Sequence, residues 1–301
     1  NMLEIKNLKK EYDRFSLNIN NLSLEKGKVL ALIGKNGVGK STTIKSILGL
    51  VEYEAGEILI NGMNLKEDEI NIKQQIGYVP ENIQFYQDIK GKDIGIFLKS
   101  CYKNWDNNLF GELCKEFEID LNKKIKNLSK GNLVKLFLIL AVSHHPKLLV
   151  LDEPTSGLDP IVRNQILNYL NKIVQEQEIA ILFSSHIMED VEKIANEIAY
   201  IDNGMILLNE DKNKIMEYYK IALSRHEDRY LKENSIAFYQ DKFLIDYRKN
   251  KNYIEERKQM PAKEGSENAL FLSLQGKRIG VRAVQNLVAK YSKTSVKLKH
   301  I

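Results

Sequence analysis

Apolar and polar positions along the chain follow two rhythms, one of period two or less and one of helical spacing. Residues 3–5 (LEI) and 15–19 (FSLNI) alternate in the manner of strands. Residues 29–33 (VLALI), 148–151 (LLVL) and 180–183 (AILF) are unbroken apolar runs bounded by polar turns, the pattern of strands buried on both faces of a sheet. Between them lie helical stretches at 41–50, with Gly49 near its end, and at 160–177, and a further strand-like run at 57–60. From about 90 to 128 the spacing is helical throughout, with Phe97, Trp105, Phe110, Leu113 and Phe117 on apolar faces, which predicts an inserted helical subdomain. Strands that alternate with helices predict an α/β architecture with a parallel sheet covered on both sides.

Composition narrows the class without changing that outline. A chain of 301 residues with 43% hydrophobic and 28% charged residues is globular rather than disordered or fibrous. The longest apolar run, 136–142, is far short of the roughly 20 residues that cross a bilayer. The start, NMLEIKNL, lacks the apolar stretch of a secretory signal and reads as a tag residue, Asn1, before Met2; a cytoplasmic protein is expected. Cys101 and Cys114 are then expected to be reduced packing residues. Charge is uneven: residues 1–220 carry 28 Lys and Arg against 31 Asp and Glu, whereas residues 221–301 carry 17 against 9.

Chemistry is concentrated at two places. Residues 34–41 (GKNGVGKS) match the phosphate-binding pattern G-x-x-x-x-G-K-[ST] and sit between a predicted strand and a predicted helix. Gly34, Asn36, Gly37 and Gly39 would turn backbone N–H groups toward phosphates, helped by the positive end of the following helix. Lys40 would reach the β- and γ-phosphates of ATP, and Ser41, with Thr42 beside it, would ligate Mg²⁺. The second place is LLVLDEP, residues 148–154, where a buried strand ends in two carboxylates. Asp152 suits the Mg²⁺ shell, and Glu153, aimed differently, suits polarising an attacking water. Taken alone, such a pair is more often a solvated turn; downstream of a phosphate loop it reads as part of the site.

Three further stretches carry a family resemblance. LSKGN at 128–132 resembles the LSGGQ signature of ABC ATPases, and SGLD at 156–159 and His186 in SSH follow in that family's order. The resemblance covers roughly residues 2–215, and NWD, KKIKNLSKG and LDEPTSGLDP are similar to bacterial exporters of the bacitracin-resistance and peptide-export kind. It implies a phosphate-loop ATPase domain over 2–220, with a parallel sheet, an antiparallel amino-terminal β subdomain and a helical subdomain at about 90–145. It also implies a head-to-tail dimer, homo- or heteromeric, in which Ser129 and Gly131 of one copy meet ATP held by the other. Asp159 belongs to the SGLD loop, and His186 would sense the γ-phosphate and hold the attacking water with Glu153. Tyr12, with Phe15 as the alternative, falls where the family places an aromatic against adenine; either aromatic could equally be core. Separate transmembrane permease subunits would anchor the protein at the inner face of the membrane.

The chain departs from the family pattern at three positions. Lys130 and Asn132 replace a glycine and a glutamine of the signature, and Glu81 in GYVPEN stands where a glutamine usually meets Mg²⁺ and the attacking water. A carboxylate is a competent Mg²⁺ ligand. Residues 221–301 form an extension in which 253–301, with YIEERKQMPAKEG and NALFLSLQGKRIGVRAVQNLVAKYS, resembles part of a tyrosine-recombinase (integrase) catalytic domain without its nucleophile. From Phe271 onward seven Lys or Arg occur and no acidic residue. That suits either weak nucleic-acid binding or a solvated basic surface. Alternatives to a transporter subunit are a soluble ATPase acting on ribosomes or DNA, and a non-productive fusion of an ATPase with a recombinase fragment.

Overall fold

Alternating side chains at the start of the chain build a long hairpin: β1 (Leu3–Tyr12) and β2 (Phe15–Leu24) pair antiparallel, with Tyr12 opposite Phe15 across a two-residue turn. In the computed structural model residues 1–83, 87–223, 237–239, 242–246 and 252 are described, and the chain divides into two units, 1–209 and 210–301. The first unit continues with β3 (Val29–Ile33), α1 (Lys40–Ile47), β4 (Ala55–Ile60), β5 (Met63–Asn64), α2 (Glu69–Lys73) and β6 (Ile76–Val79). Then come α3 (Gly91–Cys101), α4 (Asn107–Glu116), α5 (Lys130–Val142), β7 (Leu148–Asp152), α6 (Pro160–Gln177), β8 (Ala180–Ser185), α7 (Met188–Ile194), β9 (Glu197–Asp202) and β10 (Met205–Asp211). In the second unit α8 (Lys212–Tyr218) leads to β11 (Tyr219–Leu223), which with β12 (Ala237–Tyr239) and β13 (Lys242–Asp246) forms a small antiparallel sheet in the order β11-β13-β12. The stretch 253–301, with its recombinase resemblance and basic run, lies outside the described residues.

One ten-stranded sheet runs β5-β4-β1-β2-β10-β9-β3-β8-β7-β6. Strands β3, β7 and β8 are buried at every position and pair in parallel, as unbroken apolar runs require. The antiparallel strands β1, β2 and β4 are not set apart from them. Ile5, Leu17 and Ile58 belong to the same hydrophobic cluster as Leu32, Ile44, Val150 and Leu182, so hairpin, central sheet and α1 share one core. The helical insertion is present as α3, α4 and α5. Helix α5 is apolar almost all round, and accordingly buries Val134, Leu136, Leu138, Ile139, Leu140 and Val142.

Several expectations need correction. The first two strands run to ten residues each: the inward alternation slips by one residue at Asn7, whose φ is 48°, and at Asn20 and Asn21, yet the β1–β2 pairing continues through both places. Cys114 is a buried free thiol, but Cys101, at the end of α3, is exposed rather than a core residue. Phe97 is 58% exposed rather than on a packed face.

Among the described residues no helix is long and apolar enough to cross a membrane. A buried histidine follows α5: His144 is 1% exposed, stacks on Tyr102 at 3.8 Å between ring centroids, and its Nε2 lies 3.1 Å from the Ile76 carbonyl. Burial, aided by the neighbouring His145, pushes its pKa down to about 4. The folded protein therefore holds this ring neutral while the unfolded chain takes up a proton near the ordinary histidine range. Stability from His144 is complete above about pH 6.5, declines as pH falls toward 4, and the loss reaches on the order of 3 kcal/mol. Thermal unfolding of the parent should lose stability over that interval more steeply than His144→Gln; parallel curves would refute the assignment.

Candidate functional site

The parallel strands deliver the predicted chemistry to one end of the sheet. Because Asp152 pairs with Ser184 and Ile33 with Ser185, the ends of β7, β3 and β8 lie side by side, and each opens into a motif-bearing loop. After β3 the chain turns through 34–39 into α1. Gly39, at the helix N-cap, has φ 101°, and a Cβ there would lie 2.5 Å from Phe15 Cζ. Only glycine meets both conditions. Gly34 is equally confined: a Cβ would come within 2.5 Å of the Ile201 carbonyl oxygen. Asn36 and Gly37 are exposed at the crest, whereas Ser41 and Thr42 are half-buried on the first turn. The β9–β10 turn braces this loop, with Gly204 N–H donating to the Val38 carbonyl (2.8 Å) while the Gly204 carbonyl accepts from Asn18 N–H of β2 (2.7 Å).

Lys40 is 7% exposed, and its ammonium donates to the carbonyls of Gly34 (3.1 Å) and Lys35 (3.4 Å). It also lies 3.3 Å from Glu153 Oε1. Glu153 is 8% exposed and has φ 50°, a left-handed conformation uncommon outside glycine. Its other oxygen, Oε2, accepts from His186 Nδ1 at 2.7 Å. The structure thus brings Lys40, Glu153 and His186, from three different segments, into one chain of contacts. Asp152, 5% exposed, has its Oδ1 fixed by the Ser184 hydroxyl at 2.6 Å, and the same Ser184 oxygen accepts from Glu153 N–H at 2.9 Å. Ser184 was not singled out in the sequence; its role follows from the β7–β8 register, which a one-dimensional pattern does not display.

Glu81 lies exposed just beyond β6. Its charge is felt at Tyr78, whose phenol is pushed up to about 12 by burial first, then by Asp152 and Glu81. The two carboxylates therefore share one neighbourhood. Tyr12 is 45% exposed at the hairpin tip, 6.3 Å from the Phe15 ring, with the Lys10 ammonium 5.2 Å from its own centroid. Phe15 packs against Gly39, whereas Tyr12 keeps an exposed ring face at the tip.

The signature residues stand on a separate stretch. Ser129 caps α5, its hydroxyl accepting from Asn132 N–H at 3.2 Å, and both Ser129 and Lys130 are exposed. Gly131 is packed on α6, where a Cβ would approach Val162 Cγ1 to 3.0 Å. Lys130 lays its ammonium against the SGLD loop, 2.9 Å from where a Cβ on Gly157 would be. Asp159 caps α6 through Ile161 N–H and Val162 N–H, both at 3.0 Å.

Fold and site together define a mixed α/β phosphate-loop ATPase with a helical insertion. The chain belongs to the ABC transporter ATP-binding proteins: residues 17–156 match the family described as ABC transporter. It is 32% identical over 229 residues to the ABC transporter ATP-binding protein YtrB of Bacillus subtilis (strain 168), covering 75% of this chain and 78% of that one. It is 34% identical over 212 residues to the lantibiotic transport ATP-binding protein SrtF of Streptococcus pyogenes, covering 70% and 91%. A solved ATP-binding subunit of an ABC transporter superposes with a TM-score of 0.66 at 29% identity, over 72% of this chain and 92% of that one.

Proposed function

We propose that this ATPase works between two nucleotide-binding chains, with each ATP held by the phosphate loop of one and the signature of the other, to drive export through separate membrane subunits. The observation that carries the reading is the Lys40–Glu153–His186 contact chain at the mouth of the phosphate loop. It supports the reading because the Lys40 ammonium and the Glu153 carboxylate are 3.3 Å apart and His186 is 2.7 Å from that carboxylate, as a phosphate-seeking cation and a water-polarising base would need to be. Glu153 accepts the proton of the attacking water, and His186 orients that carboxylate. Tyr12 stacks on adenine. Backbone N–H groups of Gly34, Asn36, Gly37 and Gly39, with Thr42, line the phosphates.

The donor set fits Mg²⁺. Among the described residues no cluster of three or more His, Cys, Asp or Glu side chains forms a dedicated metal cage. Mg²⁺ typically uses only one or two carboxylates together with nucleotide oxygens. Asp152, held from one side by Ser184, presents a fixed carboxylate, and Ser41 a half-buried hydroxyl, with Glu81 as a further oxygen ligand. When bound, the ion would neutralise charge on the transferred phosphoryl group.

Ser129 and Lys130 are exposed on the helical insertion and Asp159 on the loop beside it, so these groups are presented outward, toward a second copy. A membrane partner is accommodated by a mostly apolar cavity of about 330 Å³ lined by Tyr78, Pro80, Phe97, Leu98, Phe137 and His144, adjoining Glu81. Ile96 and Phe97, 67% and 58% exposed beside it, would be covered by that partner on the cytoplasmic side of the membrane. The test is the mass of Glu153→Gln in solution. It should double on adding ATP and Mg²⁺, and Ser129→Arg in the same background should stay monomeric. A Ser129→Arg protein that dimerises like its parent overturns the shared-site arrangement.

A further inference from the structure

Behind Glu153 and His186 lies a second layer of contacts that none of the motifs announces. Thr155, two residues beyond Glu153, is 1% exposed and its hydroxyl donates to Asp190 Oδ2 at 2.5 Å. Asp190, four residues beyond His186 on α7, is wholly buried, and its other oxygen accepts from Arg163 Nε of α6 at 2.5 Å. Arg163 Nη2 also lies 3.8 Å from Glu189, and Lys193 Nζ donates to Asn164 Oδ1 at 2.9 Å, so α6 and α7 are joined twice more around this carboxylate.

A carboxylate without solvent is costly unless both oxygens are satisfied by well-placed donors. Asp190 meets the condition by using one oxygen on the loop that carries Glu153 and the other on the helix capped by Asp159 of the SGLD loop. Three segments are thereby fixed to one point. Each carries, within a few residues, a part of the hydrolytic arrangement: Glu153, Asp159 or His186. The Glu153 backbone is left-handed at φ 50°, a conformation that persists only where its surroundings hold it.

We infer that Asp190 is a positioning residue for ATP hydrolysis, acting through Thr155 and Arg163 to set the contact between His186 and Glu153. The inference rests on the reading of those two side chains as the water-polarising pair. Asp190 is wholly buried and acts only through its two partners; a displacement of the pair by about 1 Å is enough to cost on the order of 100-fold in rate.

The experiment compares steady-state ATP hydrolysis by the full chain in two backgrounds. In the parent, Asp190→Ala should lower kcat about 100-fold and Thr155→Val about 10-fold, with KM for ATP moving less than about two-fold. In a His186→Ala background the same substitutions should change the residual kcat less than about two-fold, because the contact they position is already gone. A structural role alone would lower kcat equally in both backgrounds, and that result overturns the inference. Thr155→Val removes only a hydroxyl and carries the same comparison if Asp190→Ala does not fold. Parental turnover in Glu153→Gln and His186→Ala would remove the underlying reading; loss in those two with parental turnover in Asp190→Ala and Thr155→Val would overturn this inference alone.

Discussion

Glu153→Gln should bind ATP at least as well as the parent and hydrolyse it about 100- to 10,000-fold more slowly, the range lost when a positioned general base is removed. The amide keeps the shape of the side chain and can still accept from His186 Nδ1, so the 2.7 Å contact survives. What disappears is the capacity to take a proton from water. The charge pairing with Lys40, 3.3 Å away, disappears as well, and frees the ammonium for phosphate. Binding of a fluorescent ATP analogue and release of phosphate, measured on the same preparation, separate the two effects. Hydrolysis at the parental rate would show that another group polarises the water.

Lys40→Ala should fail at the earlier step. Its ammonium is held at the loop by the Gly34 and Lys35 carbonyls, and removing one partner of a buried charge contact costs about 2–5 kcal/mol, so ATP affinity should fall at least about 30-fold. The structure adds a second consequence. Glu153 Oε1 is buried with no hydrogen-bond donor, and the Lys40 ammonium is the cation beside it. The alanine variant strands that carboxylate and should lose about 3 kcal/mol of folding stability. Combining Lys40→Ala with Glu153→Gln should restore much of the stability and none of the binding. Thermal unfolding of the two variants checks the first statement, and nucleotide titration the second. Unchanged ATP affinity in Lys40→Ala would overturn the phosphate-loop assignment.

What was legible in the sequence is the chemistry that backbone spacing dictates. A glycine-rich loop, residues 34–39, that directly follows the five buried residues of β3 and ends in Lys40 and Ser41 leaves little freedom in where the lysine goes, and Asp152 and Glu153 at a strand end are likewise local. Helix α6 was delimited by Pro160 and by the polar turn after Gln177. Less visible were β6, a four-residue strand containing Gly77, and α7, only seven residues long, because neither is long enough to show a period. Ser184, Thr155 and Asp190 take their roles from pairings across 31 to 35 residues, which depend on strand register and helix packing. The choice between Tyr12 and Phe15 was likewise three-dimensional, since it turns on which ring covers Gly39. Lys130 read only as a replacement of a signature glycine; the fold lays it on the SGLD loop.

The shared core of hairpin and central sheet ties nucleotide affinity to folding. One hydrophobic cluster takes in Leu3, Ile19, Ile44 and Ile201, so the hairpin that carries Tyr12 and the helix after the phosphate loop are packed into the same core. ATP favours the folded chain by an amount that grows as RT ln(1 + [ATP]/Kd). By the same linkage a cavity opened anywhere in that cluster, even at Leu3 at the start of β1, would be registered by the cell as a shortage of occupied ATPase rather than as a slower one.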